Sequence, residues 1–267
     1  MNLSLIHLQR FTTLVILCWI VTVNVPLLAN EVDPPNNTLR LAVIYIEEPP
    51  YIYQDGTSEY IGILPQLAKA LSRELSLELI YFPTPRKGLE KSVIDGRADM
   101  TWLSPDWVGD EKRLLFSDPV LLHREFLYSL SSFNESDEPL DWLKGKTVCI
   151  RQDYSYPSLM PFIESGVAQK FSVSSQSSLF KLLQKGRCDL LYMNENKATW
   201  KIRGLGIEDK VWRSKYPLNE AKLSFVFSQK WQSEMPRINQ ALSKIKNSGE
   251  LDNIVQSNIH STTLSKL

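Results

Sequence analysis

The chain has 267 residues, of which 43% are hydrophobic, 22% charged and 10% aromatic, the make-up of a globular protein too long for one small core. Thirty Lys and Arg balance thirty Asp and Glu. No surplus of positive charge is present to hold a nucleic-acid backbone or an anionic membrane surface, so neither is expected as a partner.

Met1 to Arg10 is a polar start, and Phe11 to Ala29 is an almost unbroken apolar run ending in Leu27-Leu28-Ala29. Residues 1–29 therefore read as a secretory signal cleaved after Ala29. The alternative is an uncleaved anchor, because a run of this length almost spans a bilayer. Thr22, Asn24 and the helix-breaking Pro26 favour cleavage. Cys18 follows Leu17, without the small residue that precedes a lipoprotein cysteine, so no lipid anchor is expected. The mature chain keeps Cys149 and Cys188, which read either as a disulfide of an oxidising compartment or as two buried thiols on neighbouring strands.

From Leu39 the pattern alternates strands and helices, the grammar of α/β layering. Leu39 to Ile46 is a dense apolar run and predicts a buried strand, ended by Glu47-Glu48-Pro49-Pro50, which cannot continue a ladder. Ile63 to Leu75 puts Leu64, Leu67, Ala68, Leu71 and Leu75 on one helical face, and Leu77 to Phe82 predicts a second strand. A short helix with Leu89, Val93 and Ile94 stops at Asp95-Gly96, before Ala98 to Leu103 resumes an extended run. After a polar stretch from Phe133 to Pro139 the order returns: strand at Thr147 to Arg151, helix at Leu179 to Leu183, strand at Cys188 to Met193. Leu223 to Phe227 predicts a further strand and Met235 to Lys246 a further helix, with Met235, Ile238, Leu242 and Ile245 on one face.

One short echo ties the two parts together. Gly96-Arg97-Ala98-Asp99-Met100 is matched later by Gly186-Arg187-Cys188-Asp189-Leu190, each at a junction from helix to strand. Two similar lobes follow: residues 30–132 with 220–267 as a discontinuous first lobe, and 133–219 as the second. The chain would then cross twice between them and form a hinge around a cleft. Ligands of open α/β sheets bind outside the carboxyl ends of the strands, so residues just after each strand are the candidates for that cleft.

Six ordered segments carry a family likeness: Pro49-Pro50-Tyr51, Tyr60-Ile61-Gly62-Ile63, Gly96-Arg97-Ala98-Asp99, Phe116-Ser117-Asp118-Pro119, Leu143-Lys144-Gly145-Lys146-Thr147-Val148 and Gly186-Arg187-Cys188-Asp189. From Leu39 to Ile254 the chain resembles the bacterial extracellular solute-binding proteins of family 3, the periplasmic amino-acid-type binding proteins. The resemblance implies a type II periplasmic binding protein-like fold, two α/β lobes joined by a two-strand hinge. It also implies a monomer in the periplasm that closes on a small polar solute and delivers it to an inner-membrane ABC permease. In the amino-acid binders an Arg before Phe-Ser-Asp-Pro holds the ligand carboxylate and an Asp after the second Gly-Arg-x-Asp holds the amine. Those places fall on Asp110 and Asn194 here, so both charged anchors are absent, unless Arg113 is a displaced one.

Eight residues are the candidates for ligand contact: Glu48, Tyr51, Arg86, Trp102, Ser104, Tyr154, Ser155 and Asn194. Tyr51 reads as a ring over the ligand or as a staple for the Pro-Pro loop. Trp102 reads as a cover for a ligand face or a cation, or as core. Arg86 and its neighbour Lys87 precede a helix, where the dipole disfavours cations, and either is a substitute carboxylate anchor or a solvated charge. Asp153-Tyr154-Ser155 follows a strand and reads as a helix start able to receive an anion, or as its cap. Asn194 can donate and accept, so it reads a neutral polar group where Asp would demand a cation. Glu48 and Asp110 are possible cation partners. His123 and His260 read as structural, and zinc spacing, a nucleophile motif and a phosphate loop are lacking, so no cofactor or catalysis is expected. Two alternatives stay open: a binding module feeding a membrane receptor, and a cyclohexadienyl dehydratase-like enzyme using a carboxylate such as Glu48 or Glu195.

Overall fold

In the computed structural model residues 37–260 are described, apart from 46, 55, 110, 135, 137, 153, 176 and 177. The expected signal at 1–29, Asp110 and Asp153 lie outside the described residues.

The first half is built from β1 (Thr38–Ile44), β2 (Tyr53–Gln54), β3 (Tyr60–Ile61), α1 (Ile63–Glu74), β4 (Glu78–Thr84), α2 (Leu89–Ile94), β5 (Met100–Leu103) and β6 (Leu115–Phe116). β1 lies between β4 and β5 and is parallel to both, with Thr38 opposite Glu78 and Leu41 opposite Met100. Leu39, Leu41, Ala42 and Val43 of β1 are buried, as a parallel strand covered on both faces requires. α1 buries Leu64, Leu67, Ala68 and Leu71 on the core side.

The chain then leaves through β7 (Leu121–Ser129), a nine-residue strand. The second half follows as α3 (Pro139–Leu143), β8 (Thr147–Arg151), α4 (Met160–Glu164), β9 (Gln169–Val173), α5 (Leu179–Gln184), β10 (Leu190–Asn194), α6 (Glu195–Leu205) and β11 (Trp212–Arg213). β8 lies between β9 and β10 and is parallel to both. The chain returns through β12 (Asn219–Phe227), antiparallel to β7 along one part and to β5 along another. It ends in α7 (Met235–Asn247) and α8 (Glu250–Ile259), whose Ile238, Leu242, Ile245, Ile254 and Ile259 share a core with Leu64, Leu67 and Leu71.

The sheet order β4-β1-β5-β12-β7-β10-β8-β9 is thus three parallel strands, two long crossing strands, and three parallel strands. β7 passes from one core to the other: Leu121 packs on the first-half cluster, whereas Phe126, Leu127 and Tyr128 belong to the second-half clusters. Cys149 and Cys188 form a disulfide, with Cα atoms 5.7 Å apart, joining β8 to the approach of β10 inside the second core. No helix among the described residues is long and apolar enough to cross a membrane.

The echoed aspartates do the same work in both halves. Asp99 accepts the Arg40 backbone N–H at 2.7 Å and donates its own N–H to the Arg40 carbonyl. Asp189 accepts the Thr147 N–H at 2.8 Å and donates to the Thr147 carbonyl. Each Asp clamps the start of its strand to the central strand of its half.

Candidate functional site

The carboxyl ends of β1, β5, β8 and β10 meet at the crossing strands around a cavity of about 560 Å³. The loop after β1 supplies Glu48 and Tyr51, and α1 holds that loop in place. Its first N–H groups, on Ile63 and Leu64, donate to the carbonyls of Pro50 and Tyr51 at 3.0 and 2.9 Å. Gly62, at φ +117, allows the approach, since a Cβ there would lie 2.7 Å from both carbonyl oxygens.

Of the eight candidates, Glu48, Tyr51, Arg86, Trp102, Tyr154, Ser155 and Asn194 line the cavity. Ser104 turns away: it is fully buried and caps the turn Pro105–Trp107, with its hydroxyl donating to the Asp106 carboxylate at 3.1 Å. Arg113 and Lys87 are exposed and do not line the cavity. Tyr154 and Ser155 open no helix, contrary to the expectation; the next helix starts at Met160. Pro157 disfavours helical geometry at Tyr156, and the Tyr156 hydroxyl instead bonds the backbone of Arg151, donating at 3.0 Å to its carbonyl. Glu195 is held outside the cavity by Arg124 at 2.7 Å and Arg213 at 3.5 Å.

Asn194 is used differently from the expectation. It caps α6, its Oδ1 accepting the N–H groups of Asn196 and Lys197 at 3.1 and 3.2 Å, and the Tyr51 hydroxyl donates to the same oxygen at 2.8 Å. Its polar groups are therefore taken up by the protein. With Oδ1 fixed as acceptor, Nδ2 donates to the Arg124 carbonyl and to His123 Nδ1, each at 3.2 Å. His123 Nδ1 must then accept, which leaves the ring proton on Nε2, 3.7 Å from Glu125 Oε1.

His123, expected to be structural, lines the cavity, edge-on to Trp107 and stacked on Tyr51, which meets Trp102 edge-on at 5.3 Å between centroids. Glu125 lies on the same face of β7, opposite Asn194 of β10 and Asn219 of β12. Burial pushes its carboxyl upward, but the neighbouring His123 and hydrogen bonds from Asn219 at 2.9 Å and from Tyr192 at 3.0 Å outweigh burial and hold it below the ordinary range. Burial raises the Tyr51 and Tyr154 hydroxyls, so both stay protonated donors at neutral pH.

The sequence reading also missed Lys197. Its ammonium is paired with the Glu48 carboxylate, whose other oxygen accepts the Tyr154 hydroxyl. Glu48 and Tyr51 come from the first half, Tyr154 and Lys197 from the second, so the two sides of the cavity are tied directly. Among the described residues no group of three or more His, Cys, Asp or Glu could hold a metal ion.

The family model of the bacterial extracellular solute-binding proteins, family 3, matches residues 41–260. The chain belongs to that family. No curated protein matches the sequence. Similar solved structures include the ancestral cationic amino acid solute-binding protein AncCDT-1, at 18% identity over 84% of this chain and 96% of that one, with TM-score 0.68. The second substrate-binding domain of a putative amino acid ABC transporter from Streptococcus pneumoniae is 21% identical over 83% and 100%, with TM-score 0.65. Substrate-binding domain 2 of Lactococcus lactis GlnP, in an open conformation, is 19% identical over 85% and 97%, also with TM-score 0.65. At these identities the likeness establishes the fold, that of type II periplasmic binding proteins.

Proposed function

We propose that this family member captures a small polar or amino-acid-like solute in the cavity and delivers it to an inner-membrane ABC permease, without chemistry on the solute. The observation that carries this reading is the position of the cavity. It lies at the carboxyl ends of parallel strands from both halves, where two crossing strands provide a hinge. The division into lobes at 30–132 with 220–267 and 133–219 belongs to the same proposal. The first boundary falls just after β7 and the second at the start of β12, although the packing of β7 already changes from one core to the other between Leu121 and Phe126. Glu48, Tyr51, Arg86, Trp102, Tyr154 and Ser155 are its proposed ligand contacts, with Asn194 holding Tyr51. Capture in the periplasm after loss of residues 1–29 is supported by the family's extracellular character and by the Cys149–Cys188 disulfide.

A thermal-shift panel of amino acids, polyamines, opines and small organic acids tests the reading. A solute at about 100 times its Kd adds about 2.7 kcal/mol to the folded state. Silence across the panel, with no compaction in small-angle scattering, would overturn capture. Turnover of prephenate or arogenate would replace it by a dehydratase activity; AncCDT-1 is described as a precursor of cyclohexadienyl dehydratase.

A further inference from the structure

Lys197 is a cation in an unfavourable place. It occupies the first turn of α6, two residues after Glu195 opens that helix, where the dipole repels positive charge. Its side chain is nevertheless only 14% exposed and reaches into the cavity. What holds it there is a cage: the Glu48 carboxylate on one side, and the rings of Tyr51 and Tyr154, with centroids 5.9 and 5.7 Å from its nitrogen. A carboxylate beside two aromatic faces is the chemistry that recognises an organic ammonium ion. Glu48 itself is 5% exposed, so its charge requires a cationic partner whenever the cleft is shut.

We infer that the cage of Glu48, Tyr51 and Tyr154 is a cation subsite for the solute, and that Lys197 fills it when no solute is bound. This assignment rests on the capture function proposed above. An incoming ammonium makes the same ion pair and ring contacts without ordering the four-carbon stem of Lys197. Tyr154 is 43% exposed, so the cage is open on that side to an entering cation. The solute class is therefore an amine or quaternary ammonium compound, recognised by groups other than the position of Asn194.

The test uses Lys197→Ala, with Lys197→Met as a second variant, each checked by circular dichroism, and n-butylammonium chloride as the probe in titration calorimetry. Both variants should bind n-butylammonium at least tenfold more tightly than the wild type, n-butanol should not bind, and adding Glu48→Gln should erase the gain. Equal affinity in variant and wild type, or equal binding of butanol, would overturn the assignment. So would a wild-type solute panel whose tightest members carry no cation. If the variants gain the amine while the wild type binds nothing in the panel, capture fails and the cage stands. If the wild type binds a solute but the variants gain nothing, capture stands and the cage fails.

Discussion

The Tyr51 hydroxyl donates to Asn194 Oδ1 at 2.8 Å, joining residues 143 positions apart in the chain. Asn196 Nδ2 donates back to the same hydroxyl at 3.2 Å, so one phenol bridges the loop after β1 and the first turn of α6. Tyr51→Phe keeps the ring against Trp102 and His123 and removes only this bridge. One lost hydrogen bond of this kind is worth about 1 kcal/mol. The variant should fold with little loss of Tm, and solute affinity should fall roughly fivefold, read by titration calorimetry. Unchanged affinity would mean that the bridge plays no part in closure.

Gly62 makes a sharper case, because the damage there is local. Alanine would drive its Cβ into the carbonyls of Pro50 and Tyr51. Gly62→Ala should displace the Glu48–Tyr51 loop and lower stability by roughly 2 kcal/mol, with solute binding lost at temperatures where the protein is still folded. Denaturant melts beside titrations separate the two effects; a stability loss with intact binding would contradict the role given to the loop.

Trp102 is half-buried on β5, edge-on to Tyr51, and lines the cavity. Trp102→Ala should therefore weaken binding far more than folding. A binding loss above tenfold with a stability loss near 1 kcal/mol is expected, since part of the ring faces the cavity rather than the core. Equal losses in binding and stability would make it a core residue.

Asp99 is expected to contribute to the acid limb of stability. Burial raises its carboxyl, but Arg40 and Lys230 outweigh that and hold it below its usual 3.8. A depressed folded-state value contributes stability that is full above the unfolded value and is lost as pH falls through the folded one. Asp99→Asn should be roughly 3 kcal/mol less stable than the wild type at pH 7, the difference closing below about pH 4. Urea melts from pH 7 to pH 2.5 check this; parallel curves would place the acid sensitivity elsewhere.

The alternating pattern carried much of the architecture, because buried parallel strands and one-sided helices leave dense or periodic apolar runs. Thr147 to Arg151 is a strand with the expected bounds, and the predicted helix from Ile63 matches α1 to within a residue. The Gly-Arg-x-Asp echo has a concrete cause in the paired clamps of Asp99 and Asp189. What stayed hidden was β7, where His123, Arg124 and Glu125 interrupt the apolar run at the crossing. His123 and Glu125 face the cavity while Arg124, between them, pairs with Glu195 outside it, and sequence alone does not distinguish a cavity face from solvent. Only once β7 is known to be a strand does its period of two put His123 and Glu125 on one face. Lys197 was missed because α6 itself was not predicted; with that helix known, Lys197 is a cation in its first turn, the same argument that singled out Arg86. The use of Asn194 as a cap and of Ser104 as a turn former was not legible, since both residue types serve local backbone and ligand equally well.

The most direct measurement is a crystal structure of the chain with the tightest solute from the thermal-shift panel. Capture predicts density inside the cavity of about 560 Å³, touching Tyr51 or Trp102 from the first half and Tyr154 or Lys197 from the second. A solute seated outside that cavity, or against one half alone with the cleft unchanged, would contradict it.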